Sequence, residues 1–251
     1  MRRRVRWVSG AASAVAAMLD WSKHPHGVFA TCETKSEDPD NRRFLNDVEA
    51  WFGQPIIRLS NDEYKDVWDV WEKRNFISGT AGAPCTGIMK IAPRLAFQMP
   101  DDIHIFGYTN DRTDIVRANR LRETFFELTI ETPLIARGID KSACRALIAR
   151  AGLKESRMYA LGFPNDNCVP CGKATSPNYW SLVRLHRPDQ FLRMARLSRD
   201  LGARLTRINN VRIFIDEIPD DWPVTEAYAP TCDFLCNLAG QDLETLEETT
   251  P

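Results

Sequence analysis

The run Arg4-Val5-Arg6-Trp7-Val8-Ser9-Gly10-Ala11-Ala12-Ser13-Ala14 decides how the rest of the chain is read. Residues 4–8 suit a short strand, Ser9 and Gly10 interrupt it, and residues 11–19 are strong helix formers. A strand that turns through small residues directly into a helix presents the helix's unpaired first N–H groups at the turn. Those groups and the helix dipole favour an anion there. Small side chains let an anion reach the backbone, and Ser9 and Ser13 add hydroxyl donors. There is no Walker lysine and no Gly-x-Gly-x-x-Gly, and the same residues also suit the entry to a tightly packed, buried helix.

Outward from this run, strand-like and helix-like segments alternate. Further strands are expected at 27–31, 55–59 and 103–107. Asp38-Pro39-Asp40-Asn41 opens a helix carrying Phe44, Val48, Trp51 and Phe52, and Val67, Val70 and Trp71 mark another. The alternation predicts an α/β, Rossmann-like fold with a mostly parallel sheet covered on both faces, binding its ligand beyond the carboxyl ends of the strands. Later the pattern changes. A capped helix is expected at 140–151, a Gly/Pro/Asn/Cys loop at 162–177, helices at 179–186 and 188–201, and a hairpin turning at Asn209-Asn210. The expected division is a nucleotide-binding α/β core at 1–138, a helical subdomain with a cysteine loop and hairpin at 139–238, and an acidic tail at 239–251.

Length and composition suit one sizeable core: 251 residues, 43% hydrophobic and 27% charged, with a net charge of −1 that does not advertise a nucleic-acid binder. The arginine-rich start and the acidic end both read as solvated tails. No apolar run is long enough to span a membrane. Arg2–Arg4 ahead of an apolar stretch resembles a secretory leader, but Ser9, Gly10 and Ser13 break it, and seven cysteines, an odd number, suit a reducing compartment. A cytoplasmic location is expected.

Cys168-Val169-Pro170-Cys171 is a Cys-x-x-Cys pair in a loop, and Cys232 and Cys236 form a second close pair. Two such pairs suit zinc or an iron–sulfur cluster, a redox dithiol, or plain packing of reduced thiols. Cys85 is a further candidate ligand or nucleophile, while Cys32 and Cys144 read as structural. Lys90, after Cys85, and Lys173, after Cys171, are candidate phosphate contacts. The four histidines have no metal-ligand spacing and read as ordinary core or surface residues.

Several motifs in order resemble the PP-loop adenine-nucleotide α-hydrolases, specifically the phosphoadenosine phosphosulfate (PAPS) reductase-like proteins, many carried by bacteriophages. They are the opening loop, Glu37-Asp38-Pro39-Asp40-Asn41, Gly82-Ala83-Pro84-Cys85-Thr86, Phe106-Gly107-Tyr108-Thr109, Asn167 to Ala174 and Tyr179-Trp180. The resemblance implies a five-stranded sheet and an ATP or PAPS-like adenine nucleotide, with Mg²⁺. Ser9, Gly10, Ala11, Ser13 and Ala14 fall on the pyrophosphate loop. Thr31, Cys32, Glu33 and Thr34 fall on the adenine or ribose side, and Gly107 borders the nucleotide. The implied activity is an ATP pyrophosphatase-type adenylation for sulfur transfer to a nucleic acid base or small molecule, with Cys85, Lys90 and Lys173 in catalytic places. Cys168, Cys171, Cys232 and Cys236 would hold zinc or a [4Fe–4S] cluster. Sulfonucleotide reduction and a non-catalytic nucleotide-binding protein are the alternatives, a homo-oligomer is compatible, and host cytoplasm is implied for a phage protein. Ser13 stands where the loop usually has aspartate, and no Glu-Cys-Gly-Ile-His segment is present.

Overall fold

The computed structural model describes residues 1–79 and 82–224. The chain forms two compact units: 1–33, 39–59 and 93–156 make the first, and 34–38, 60–92 and 157 onward the second.

The first unit carries a fully parallel sheet of five strands in the order β3-β2-β1-β4-β5. The strands are β1 (Arg4–Trp7), β2 (Val28–Cys32), β3 (Ile56–Leu59), β4 (Ile103–Ile105) and β5 (Thr129–Glu131). The fold is α/β and Rossmann-like. The arginine-led apolar stretch forms the central strand and the helix that follows it, as expected. Its register pairs Val5 with Val28 on one side and with His104 on the other.

Helix α1 (Ala11–Trp21) is rich in alanine, so its backbone can lie close to the sheet. Ala14, Val15, Ala16 and Ala17 pack with Phe44 and Val48 of α2 (Pro39–Phe52), with Phe29 and Ile56 of the sheet, and with Ile148 of α7 (Lys141–Arg150). Asp140 caps α7, accepting from Ala143 N–H at 2.7 Å. Sequence grouped this helix with the C-terminal region; it packs on α1.

Reading the N-terminal arginines as a solvated tail is corrected. Arg4 and Arg6 alternate onto one face of β1 and are buried, because Asp20 of α1 receives both. Arg4 Nη2 lies 2.5 Å from Asp20 Oδ1 and Arg6 Nη2 2.6 Å from Asp20 Oδ2. Arg6 also donates to the carbonyls of His24 and His26, at 2.6 and 2.9 Å. Burial lowers the Arg6 pKa from its ordinary value, against the pull of Asp20.

The second unit is helical, with α3 (Val67–Arg74), α4 (Pro84–Thr86), α8 (Arg157–Ala160), α9 (Pro177–His186) and α10 (Pro188–Asp200), followed by the hairpin β6 (Thr206–Ile208) and β7 (Val211–Ile213) and a 3-10 turn at Ile215–Glu217. In the first unit, α5 (Ala92–Phe97) and α6 (Arg112–Thr124) flank β4. A π-helical turn over Gly87–Ile91 joins α4 to α5, a helical stretch for which the sequence showed no clear period. The second core gathers Trp71, Trp180, Tyr179, Phe163, Phe191 and Met194.

Candidate functional site

Strand β1 is the topological switch of the sheet. From it the chain runs through α1 to β2 and β3 on one side, then returns to β4 and β5 on the other. Loops leaving the carboxyl ends of β1 and β4 therefore diverge, and such a divergence opens a crevice at the end of the sheet. The opening loop lies there. Val8 N–H still donates to Ala30 O at 2.8 Å, after which Gly10 adopts an extended conformation and starts α1.

Ser13 organises this loop. Its hydroxyl oxygen accepts from Ser9 N–H at 2.8 Å and from Gly10 N–H at 3.0 Å, and its proton is donated to Gly10 O at 2.8 Å. Ala14 N–H donates to Gly10 O at 3.0 Å, the first regular helical bond. The N–H groups of Ala11, Ala12 and Ser13 precede it and have no acceptor within a helix, which makes them the natural donors to an anion. There is no acidic residue in the first turn of α1.

Gly107, expected beside the ligand, packs on the loop itself. A Cβ there would stand 2.4 Å from Ser13 Cα and 2.6 Å from Ser13 N, so only glycine lets the β4 loop approach this closely. At the end of β2, Thr31 is buried and Cys32 is partly exposed. Glu33 N–H donates to Leu59 O at 2.8 Å, and its carboxylate lies 3.4 Å from Arg58 Nη1. Thr34 belongs to the second unit, where its hydroxyl and Cys168 Sγ are 2.8 Å apart.

Two residues of the first unit had no sequence signal. Arg94, on α5, is 3% exposed, and burial pulls its guanidinium down to about 9, opposed by Cys32, Glu127 and Tyr108. Cys32 closes β2 and Tyr108 follows β4, so a buried cation accompanies the carboxyl ends of the sheet. His104 is fully buried, and burial together with the Arg94 charge lowers its pKa to about 4. Its Nδ1 accepts from Trp7 Nε1 at 3.1 Å, which leaves the proton on Nε2, a buried atom with no hydrogen-bond partner among the described residues. Both positions sit in segments whose pattern reads only as helix or strand, and burial depends on what packs over them.

The second unit holds the remaining candidates. Cys85, Cys168 and Cys171 share one core, each 9% exposed or less. Cys171 N–H donates to Tyr179 Oη at 2.6 Å, and Trp180 Nε1 donates to Ala174 O at 2.9 Å, so α9 clamps the cysteine loop. Gly172 is needed for this fit, since a Cβ there would lie 2.6 Å from Ile77 Cγ2. Lys90, in the π-turn, and Lys173 are half-buried. Cys232 and Cys236 lie outside the described residues. Among the described residues no three His, Cys, Asp or Glu side chains are arranged to hold a metal ion.

No family model matches the chain, and no curated protein matches it. Several solved structures are similar. One is a phosphoadenylyl-sulfate (PAPS) reductase from Candida auris in a phosphate complex, with a TM-score of 0.48 at 10% identity, covering 67% of this chain and 82% of that one. Ten per cent identity carries no residue correspondence. Among the described residues no helix is long and apolar enough to cross a membrane.

Proposed function

We propose that the first unit binds an adenine nucleotide, with the phosphates received by the loop from Ser9 to Ala14. One observation carries this reading: the small-residue loop opens α1 at the switch point of a five-stranded parallel sheet, with Gly107 pressed against it. The order of motifs that resemble PAPS reductase-like proteins supports adenine as the base. Thr31 and Glu33, at the end of β2, lie on the nucleoside side of this proposal. Thr34 follows them in sequence, and its hydroxyl contacts Cys168.

The chemistry best supported is adenylation for sulfur transfer. An acceptor oxygen attacks the α-phosphorus of ATP, the bond to the bridging oxygen breaks, and pyrophosphate leaves. A sulfur donor then displaces AMP from the adenylated acceptor, a nucleic acid base or a small molecule. The N–H groups of Ala11, Ala12 and Ser13 would stabilise charge growing on the phosphates without reorganising. With Ser13 in place of a carboxylate, Mg²⁺ would arrive with the nucleotide.

The four thiols Cys168, Cys171, Cys232 and Cys236 are a donor set soft enough for zinc or an iron–sulfur cluster. Such a group would supply a structural clamp or a sulfur-handling centre. Cys85 is a less suitable nucleophile in this setting, because it is only 9% exposed and offers a substrate little access. Sulfonucleotide reduction is the weaker alternative for that reason. A nucleotide-binding protein without turnover is favoured by the missing loop carboxylate.

Calorimetric titration with ATP and AMP tests the binding, with thermal melting alongside. Binding accompanied by pyrophosphate release in the presence of an acceptor supports the full reading. Binding without turnover supports the non-catalytic reading, and sulfite release from PAPS with thioredoxin supports the reductase. If no adenine nucleotide binds, all three are lost. Iron and zinc content of an anaerobic preparation tests the cysteine set.

A further inference from the structure

The hairpin of the second unit follows an arginine-rich stretch of the chain. Residues 177–214 contain eight arginines, no lysine and two aspartates, in a chain whose overall charge is −1. Four of these arginines are held by carboxylates: Arg184 by Asp220, Arg193 by Glu72 and Arg199 by Asp216, each at 2.7–2.8 Å, and Arg187 by Asp38. Arg207 and Arg212 are different. Both are exposed, and among the described residues neither has a carboxylate in ion-pair range.

Their placement is unfavourable for the protein alone. The register of β6 and β7 sets Arg207 directly opposite Arg212, on one face of the ribbon. Like charges opposite one another destabilise a hairpin. Arg212 is also held, its Nη1 donating to Arg204 O at 3.2 Å. The tip between them, Asn209-Asn210, has both residues in the left-handed region (φ 47° and 63°), which makes a tight two-residue turn and leaves two amides at the end of the ribbon.

We infer that this ribbon binds double-stranded DNA, with Arg207 and Arg212 on backbone phosphates and the Asn209-Asn210 tip directed into the major groove. A two-stranded ribbon matches the width of that groove, and guanidinium forks match phosphate geometry. The features argue against other nucleic acids. Single-strand binders stack bases on exposed aromatic rings. The ribbon's aromatic residue, Phe214, is half-buried and covered by the guanidiniums of Arg199 and Arg204 at 4.5 and 5.1 Å. The deep, narrow major groove of duplex RNA does not admit such a ribbon. This inference is independent of nucleotide binding by the first unit.

Fluorescence anisotropy of the full chain with a labelled DNA duplex, a single strand of the same sequence and an RNA duplex tests it over a range of salt concentrations. The DNA duplex should bind most tightly. R207A/R212A should weaken that binding roughly tenfold and reduce the slope of log K against log salt by about two, the loss of two phosphate contacts. R207K/R212K should keep most of the slope. Both positions are exposed, so the double alanine variant should melt no lower than the parent, and relief of the like-charge pair should raise its Tm slightly. An unchanged salt slope in the alanine variant, or a single strand bound as tightly as the duplex, overturns the inference.

Discussion

Around α1 the first unit encloses Arg4, Arg6 and Asp20, whereas the second unit fills its core with Trp71, Trp180, Tyr179 and three thiols. The first unit keeps charge inside, with the Arg6 guanidinium against the rings of Trp21 and Phe29. The second fills its core with aromatic rings and holds its arginines at or near the surface, two of them, Arg157 and Arg187, on the buried Asp38. Each arrangement is vulnerable in its own way. A buried ion costs little only while its partner remains, so the first unit depends on single atoms. An aromatic core depends on volume, and its losses are spread over many contacts.

The largest expected effect breaks the first arrangement. Asp20→Ala leaves the buried Arg6 without a carboxylate and Arg4 with Glu131 alone, and should cost about 3–5 kcal/mol in urea or guanidinium unfolding. A loss below about 1 kcal/mol would mean that Arg4 and Arg6 reach solvent instead, and that the unit is not organised around charge.

Acid separates the units by a second route. His104 titrates at about 4 in the folded chain and near its ordinary 6.5 when unfolded. Between these values the unfolded chain binds more protons, so stability falls as pH drops from about 6.5 towards 4, by about 3 kcal/mol at most. His104→Phe cannot take up that proton and should flatten this part of the stability–pH curve. An equal slope in the variant would assign the acid sensitivity to other groups.

A smaller effect sharpens the comparison at the site. Gly107→Ala pushes a methyl group into the Ser13 backbone and should cost about 1–3 kcal/mol. It should also weaken adenine-nucleotide binding, while DNA binding by the ribbon of the second unit stays unchanged. Loss of stability with full nucleotide affinity would separate the loop's packing role from a ligand role.

The local pieces were legible. The strand–loop–helix at Arg4 to Trp21, the Asp140 cap and the Asn209-Asn210 hairpin are set by short-range rules of period, capping and turn chemistry. Strand β5 was not singled out, being three residues long with Thr129 and Glu131 at the sheet edge. Helix α4 and the π-turn after it were also missed, because a widened turn shifts the apolar period that marks a helix. The candidate site was half readable. Small residues and serines marked the loop, but the separation of Glu33 from Thr34 into different units follows from pairing partners distant in the chain.

By itself, the sequence determined the α/β class and the position of the loop, since a two-residue period giving way to a helix and broken at Ser9-Gly10 is a local property. Only the tertiary structure decided that Arg4 and Arg6 are interior rather than a tail. Their charge can be buried because Asp20, sixteen residues beyond Arg4, is carried back over them by α1. Tertiary packing likewise made Gly107 a contact of Ser13. Whether a residue touches a ligand, a carboxylate or another backbone depends on which distant segment the fold lays across it, and no local pattern encodes that neighbour.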